Sequence, residues 1–257
     1  MRTESYIRAL PNTTRTLAEN KEGDDMALID YTIDDSVAIL SMNSGENRFN
    51  FPFFKAFLEV LDKVEHNTEA NVLVVKSSHE KIWSNGIDLD WLLPAVQKEG
   101  PELGKKFHVE MYSFIKRVLT YPMLTIAAIT GHAFAGGAFL AFAHDFRFMR
   151  SDRGWLCLPE VDINMTLGPV FSAISRRAVP MYKFEEMQYT GKRLTAQECE
   201  EHHIIIKACH INDLMNEVLA FAKALNKDRE LIRKMKEETH KDIIAVIDET
   251  ISSLSSK

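Results

Sequence analysis

A chain of 257 residues can bury a substantial core without staples, and its 46% hydrophobic and 26% charged content is that of one globular domain, or one domain and a small appendage. A formal charge of −6 excludes a broad nucleic-acid surface, while leaving room for a local basic pocket that takes a small anion. Cys157, Cys199 and Cys209 lack CxxC spacing, the nine histidines lack HExxH spacing, and no apolar run reaches the roughly 18 residues of a membrane span, so disulfide frameworks, metal sites and membrane spans are all set aside.

The three cysteines read as reduced thiols in a cytoplasmic type of compartment. Residues 1–25 differ in composition from the rest of the chain: three arginines and several hydroxyl residues suit a mitochondrial transit peptide bound for the matrix, whereas Glu4, Glu19, Glu22, Asp24 and Asp25 suit a disordered leader or a cloning remnant. Strand patterning begins after Met26, with "SVAILSM" as a strand and "NSGENRFN" as a loop. "FPFFKAFLEVLDKVEHN" repeats apolar residues at helical spacing, and "ANVLVVKSS" is a β-branched run of the buried-strand type. Next, "HEKIWSNGIDLDWLLPAVQKEGPE" reads as a loop through Gly86 and a helix broken by Pro94. "KKFHVEMYSFIKRVLTYP" is an amphipathic helix that stops before Pro122, and "MLTIAAIT" is a strand. A helix from Gly136 to about His144 and the strand "DFRFM" come after it. These spans make a core of residues 26–194, and residues 195–257 read as an almost wholly helical, charged C-terminal region.

"TGHAFAGGAFLAFAHDFRFM" places Gly131, Gly136 and Gly137 within seven residues ahead of an apolar helix. A helix that starts at Gly136 straight after a strand presents unsatisfied N–H groups and the positive end of its dipole to any anion. Glycine there also lets backbone N–H groups approach a ligand oxygen, and it equally serves close helix–strand packing. The spacing is neither GxxxxGK[ST] nor GxGxxG, so a nucleotide-phosphate loop is disfavoured. A second strand-to-helix turn, "WSNGIDLDWL", carries Asn85 and Gly86. Backbone donors from Asn85 and Gly136 converging on one oxygen would form an oxyanion hole. Downstream, "GWLCLPEVDINMTLGP" sets Glu160 among apolar residues, where burial raises a carboxyl pKa and suits it to proton transfer; taken alone, Glu160 also fits a paired structural carboxylate.

In this order, "WSNGIDLDWL", "ITGHAFAGGAFLAFAHDFRF", "LPEVDINMTLGP" and "TGKRLTAQECEEHHII" resemble the crotonase superfamily, also called the enoyl-CoA hydratase/isomerase family, over roughly Ala27 to the C-terminus. The resemblance implies an α/β fold, a crotonase-like spiral of β-β-α units with a C-terminal helical region, assembled as a homotrimer or hexamer. It places the oxyanion-hole N–H groups on Asn85 and Gly136 and the acid/base carboxylate on Glu160. Hydratases of the superfamily carry a second glutamate three residues after the oxyanion glycine, and that position is Phe139, which cannot activate water. One carboxylate is what the superfamily's Δ3,Δ2-enoyl-CoA isomerases use, and "SNGIDL", "GENRFN" and "HDFRFMRSDRGWLCLPEVDI" look like their peroxisomal-type branch. Ala135 stands where many members have glycine, crowding the loop slightly.

By the same resemblance, Ser84, Gly86, Ile87 and Asp88 run along the pantetheine and adenine of coenzyme A; Arg48 fits either a contact to a coenzyme A phosphate or an ordinary exposed arginine, and Trp91, Leu92 and Phe139 fit either an acyl pocket or plain core packing. Asp88 also fits a helix cap, Asp162 either tunes Glu160 or lies at the surface, and His132 and His144 read as structural. Coenzyme A enters as part of the substrate, with no resident cofactor. Another acyl-CoA reaction on the same hole, such as dienoyl-CoA isomerisation, decarboxylation or weak hydration, and a non-catalytic subunit of the same fold both stay open. The final "SSK" lacks the leucine of an SKL-type peroxisomal signal.

Overall fold

The computed structural model describes residues 27–256, so the leader expected over residues 1–25 lies outside the described residues. In chain order, β1 (Ile29–Asp34) and β2 (Val37–Met42) form a hairpin. They lead through β3 (Arg48–Phe49) to α1 (Phe51–Asn67), β4 (Val72–Ser77), β5 (Ile82–Ser84), β6 (Gly86–Ile87), α2 (Leu89–Glu99) and α3 (Pro101–Leu119). Then come β7 (Leu124–Ile129), β8 (His132–Phe134), α4 (Gly136–Ala143), β9 (Phe146–Arg150), β10 (Leu156–Cys157) and a 3-10 turn, Pro159–Ile163. The chain ends with α5 (Gly168–Ala178), α6 (Met181–Thr190), α7 (Ala196–Glu201), β11 (Lys207–Cys209), α8 (Ile211–Ala224), α9 (Arg229–Thr239) and α10 (Lys241–Ser255).

Six strands form the main sheet in the order β1-β2-β4-β7-β9-β11, parallel except for the β1–β2 hairpin. Alternation within the parallel strands splits their side chains between two layers. Val72, Val74, Ile126 and Ala128 meet Leu214, Val218 and Ala222 of α8 on one face, whereas Leu73, Val75, Ala127 and Ile129 join the larger core on the other. Helix α1 starts where Asn50 Oδ1 accepts the Phe53 N–H (3.0 Å), and it buries Phe53, Phe54, Phe57, Val60, Leu61 and Val64 at the spacing of one face.

Two expectations differ from the structure. Pro94 lies inside α2 and does not break it: the helix forfeits one hydrogen bond, and its packing against α3, with Leu92 buried, holds it together. The C-terminal stretch is not all helix, because β11 extends the main sheet beside β9. Lys236 of α9 is buried, donates to the Met123 carbonyl (2.7 Å) and pairs with Asp145 (2.6 Å), which fastens the last helices to the core. Helix α10 then packs on α3 and α5, the two helices that wall the site.

Candidate active site

A second, three-stranded sheet (β10-β8-β5) stands beside the two-stranded β3–β6 pair, and the two glycine turns meet there. Gly86 has φ +71, and a Cβ on it would lie 2.4 Å from the Gly136 nitrogen. A Cβ on Gly137 would lie 2.2 Å from the Ser84 carbonyl oxygen, and one on Gly136 would meet the Phe49 ring at 2.8 Å. No side chain fits at any of the three, so close packing is a real reason for these glycines. It does not displace the other reason. Gly136 and Gly137 are the first residues of α4, and among the described residues their N–H groups have no partner. Gly136 lines a cavity of about 590 Å³.

The first turn corrects the expected donor. The Asn85 N–H already donates to the Glu46 carbonyl at 3.1 Å, and its side chain donates to Glu46 Oε2 at 3.0 Å. The Gly86 N–H donates to Ser84 Oγ (3.2 Å) and that of Asp88 to the Phe49 carbonyl (3.1 Å). That leaves Ile87, whose N–H has no partner among the described residues beyond the short β3–β6 ladder and which lines the cavity together with Gly136.

Glu160 sits in the 3-10 turn after β10 and lines the same cavity. Its Oε2 is buried with no hydrogen-bond partner among the described residues, and burial pushes its pKa from the ordinary 4.5 to about 7, against a smaller downward pull from its own backbone N–H. The Asp162 carboxylate lies against Gly191, where a Cβ would come within 2.7 Å of Asp162 Oδ2. Facing these polar groups is an aromatic wall. Phe139 stacks on Phe171 (centroids 4.0 Å apart, 9° between planes), and Phe171 meets Tyr112 edge-on at 5.5 Å.

Of the residues singled out in the sequence, the cavity brings together Arg48, Asn85, Ile87, Gly136, Phe139 and Glu160. It does not include Ser84, Gly86, Asp88, Trp91 or Leu92. Ser84 is buried, with its Oγ donating to the Asn47 carbonyl (2.8 Å), and Asp88 caps α2 by accepting the Trp91 N–H (3.3 Å). Trp91 packs edge-on against Phe51 (5.3 Å), and Leu92 is core. Arg48 reaches the rim with its charge already answered: Nε donates to Glu46 (2.8 Å), Nη1 donates to Asp90 (2.7 Å), and Asp88 lies 3.8 Å away. Glu46 first, then Asp90, hold its pKa above the ordinary value, and the three carboxylates around it disfavour a phosphate there.

Tyr112, Phe171, Phe134 and His132 line the cavity without any sequence signal that places them there. His132, expected to be structural, has a buried Nδ1 without a partner among the described residues. Burial first, then the charges of Arg193 and Arg153, press its pKa below the usual histidine range. His144 keeps the structural reading: it is fully buried, its Nδ1 bonds to the Leu140 carbonyl (2.8 Å), and burial takes its pKa to about 4.

The family profile described as enoyl-CoA hydratase/isomerase matches residues 32–252. Among curated proteins, "Enoyl-CoA delta isomerase 2, peroxisomal" of Arabidopsis thaliana is 33% identical over 65% of this chain and 70% of its own length. "Enoyl-CoA delta isomerase 3" of the same plant is 34% identical over 64% of this chain and 69% of its own. An enoyl-CoA hydratase/isomerase family protein of Pseudomonas syringae has a solved structure that superposes with a TM-score of 0.79 at 25% identity, covering 88% of this chain and 96% of that one. A probable enoyl-CoA hydratase of Mycobacterium tuberculosis shares the fold at a TM-score of 0.79 and 20% identity, over 89% and 95% of the two chains.

Proposed function

Because the chain belongs to the enoyl-CoA hydratase/isomerase family, we propose that it moves the double bond of a 3-enoyl-CoA into conjugation, giving the 2-trans-enoyl-CoA, as a step of fatty acid degradation. The observation that carries this reading is a lone carboxylate. Glu160, with its Oε2 unpaired among the described residues and a pKa of about 7, faces the cavity, and Phe139 occupies the place where the family's hydratases carry a second glutamate. Asp90, the other carboxylate on the rim, is exposed and paired with Arg48.

In a 3-enoyl thioester the C2 protons are acidified by both the carbonyl and the double bond. Removing one gives a dienolate whose charge gathers on the thioester oxygen. The Gly136 N–H, at the positive end of α4, is the first donor for that oxygen, and Ile87 takes the place expected of Asn85 as the second. Each such donor typically contributes about 3 kcal/mol to lowering the barrier. Glu160 takes the proton from C2 and returns it at C4. A pKa near 7 makes this carboxylate a competent base when ionised and a competent acid once loaded. The stacked Phe139 and Phe171 keep the acyl chain dry and offer nothing to hold an attacking water. The test is to mix the protein with 3-hexenoyl-CoA and, separately, 2-hexenoyl-CoA, following conjugated enoyl thioester by ultraviolet absorbance. A rise with the first and no loss with the second is expected; silence with both, or hydration of the second, would overturn the reading.

A further inference from the structure

Two polar groups beside the aromatic wall have no part in the double-bond shift. His108 and Tyr112 are four residues apart on α3, hence on one face of it, and both line the cavity. Tyr112 is only 9% exposed, and its ring touches both Phe171 and His108, the latter at 6.0 Å between centroids. Its hydroxyl has no hydrogen-bond partner among the described residues, yet it is not sealed in the interior as the hydroxyl of Ser175 is. An unanswered hydroxyl at so buried a position is costly unless a group in the cavity meets it. His108 Nδ1 lies 2.7 Å from the Gly104 carbonyl, which can only accept, so that nitrogen carries the proton and the neutral ring keeps its lone pair on Nε2. One turn of α3 thus presents an O–H donor and a nitrogen acceptor.

The place of this pair follows from the packing. Phe139 is one turn beyond Gly136 on α4, Phe171 stacks on Phe139, and Tyr112 lies against Phe171. With the thioester oxygen at Gly136, the pair is met by the part of the acyl chain beyond the double bond. Charge and valence then select the group. Arg48 is the one lysine or arginine among the described residues that line the cavity, and Glu46 and Asp90 already hold it, so a carboxylate-ended chain finds no counter-ion. A ketone would use the Tyr112 donor alone, whereas a hydroxyl accepts from Tyr112 and donates to His108 Nε2. We propose that the site selects enoyl-CoA esters whose acyl chain carries a hydroxyl beyond the double bond, held between Tyr112 and His108. The inference rests on the enoyl-CoA reading and narrows its substrate class. A plain chain leaves both groups unpaired, which is how a site of this kind discriminates.

The experiment titrates wild type, Tyr112→Phe and His108→Leu calorimetrically with two pairs of saturated esters, hexanoyl- and 6-hydroxyhexanoyl-CoA, and octanoyl- and 8-hydroxyoctanoyl-CoA. None of them has a double bond to move, so binding is read apart from turnover. The corresponding 3-enoyl esters supply kcat/KM. Wild type is expected to bind at least one hydroxylated ester about tenfold more tightly than its parent, with the same preference in kcat/KM. Each variant should erase most of that preference, read as a ratio within one protein so that a general loss of affinity cancels. No preference in wild type at either length, or a preference that either variant keeps, would overturn the proposal. If wild type isomerises none of the enoyl esters yet prefers the hydroxylated saturated ones through Tyr112, the isomerase reading fails and this one stands; if it isomerises plain and hydroxylated esters alike, the reverse holds.

Discussion

The floor of the cavity and its wall do their work by opposite means. At the floor, Gly86, Gly136 and Gly137 have no side chain and no room for one; what the floor offers is main-chain N–H, which carries no titratable proton near neutrality. At the wall, Glu160, Phe139 and Phe171 act through side chains whose behaviour depends on burial. The floor is therefore intolerant of shape and indifferent to pH, whereas the wall admits substitution and sets the pH response. Geometry and acidity are held in separate parts of one site.

The sharpest way to break the floor is Gly137→Ala. Its new methyl would sit 2.2 Å from the Ser84 carbonyl oxygen, which is backbone and cannot rotate away. The start of α4 has to move off the β5 turn, and we expect a loss of more than about 4 kcal/mol, read as a collapse of the melting temperature or of soluble yield. A mild shift would mean that the two turns are not locked together as described.

The wall is probed by Glu160→Gln, which keeps shape and removes the titration. Isomerase kcat/KM should fall by about 10² to 10⁴, and in wild type it should decline roughly tenfold per pH unit below an apparent pKa of about 7. Stability is expected to move the other way. Below pH about 4.5 folded and unfolded chains both keep the proton. Between there and about 7 the unfolded chain loses it first, so the native state is progressively disfavoured, and above 7 the penalty is constant. The shift corresponds to about 3 kcal/mol. Glu160→Gln should thus melt higher than wild type at pH 8 and level with it near pH 4. Equal melting temperatures at both would show that Glu160 is not desolvated.

The same contrast explains how much of the molecule is legible in its sequence. Glu160 stands out because its neighbours in sequence are apolar and remain its neighbours in space. The span of α1 is readable from periodicity alone, since Phe53, Phe57, Val60 and Val64 need only one face. Which N–H of the first turn is engaged is not readable, because the carbonyl that takes Asn85 belongs to Glu46, 39 residues away. Likewise Arg48 looks free in the sequence, because Asp90, the carboxylate that meets it, is 42 residues distant. Strand β8 is three residues long, too short for a period to register, so neither His132 nor Phe134 can be placed on the cavity in advance. Tyr112 and Phe171 belong to helices whose approach is fixed by α10, and a helical stripe does not say which of its members faces a void.

The smallest effect is expected at the hinge between floor and wall. Ala135 has φ 50 and ψ −123, a conformation that a residue with a Cβ seldom takes, and its strain lies in the backbone rather than in crowding of the loop. It is held there from both sides. Its N–H donates to the Cys157 carbonyl (3.1 Å) on the strand that leads to Glu160, and its carbonyl accepts from Ala138 (2.9 Å) and Phe139 (3.2 Å) in α4. Ala135→Gly removes strain of about 1–3 kcal/mol and restores about 0.4–1 kcal/mol of freedom to the unfolded chain. We expect a net gain of about 1 kcal/mol, a rise of roughly 2–4 °C in melting temperature. Because the contacts of Gly86 and Ser84 already fix where α4 begins, kcat should barely change. A more stable but slower variant would show instead that the strained alanine itself aims the Gly136 N–H, and that floor and wall are coupled through this one residue.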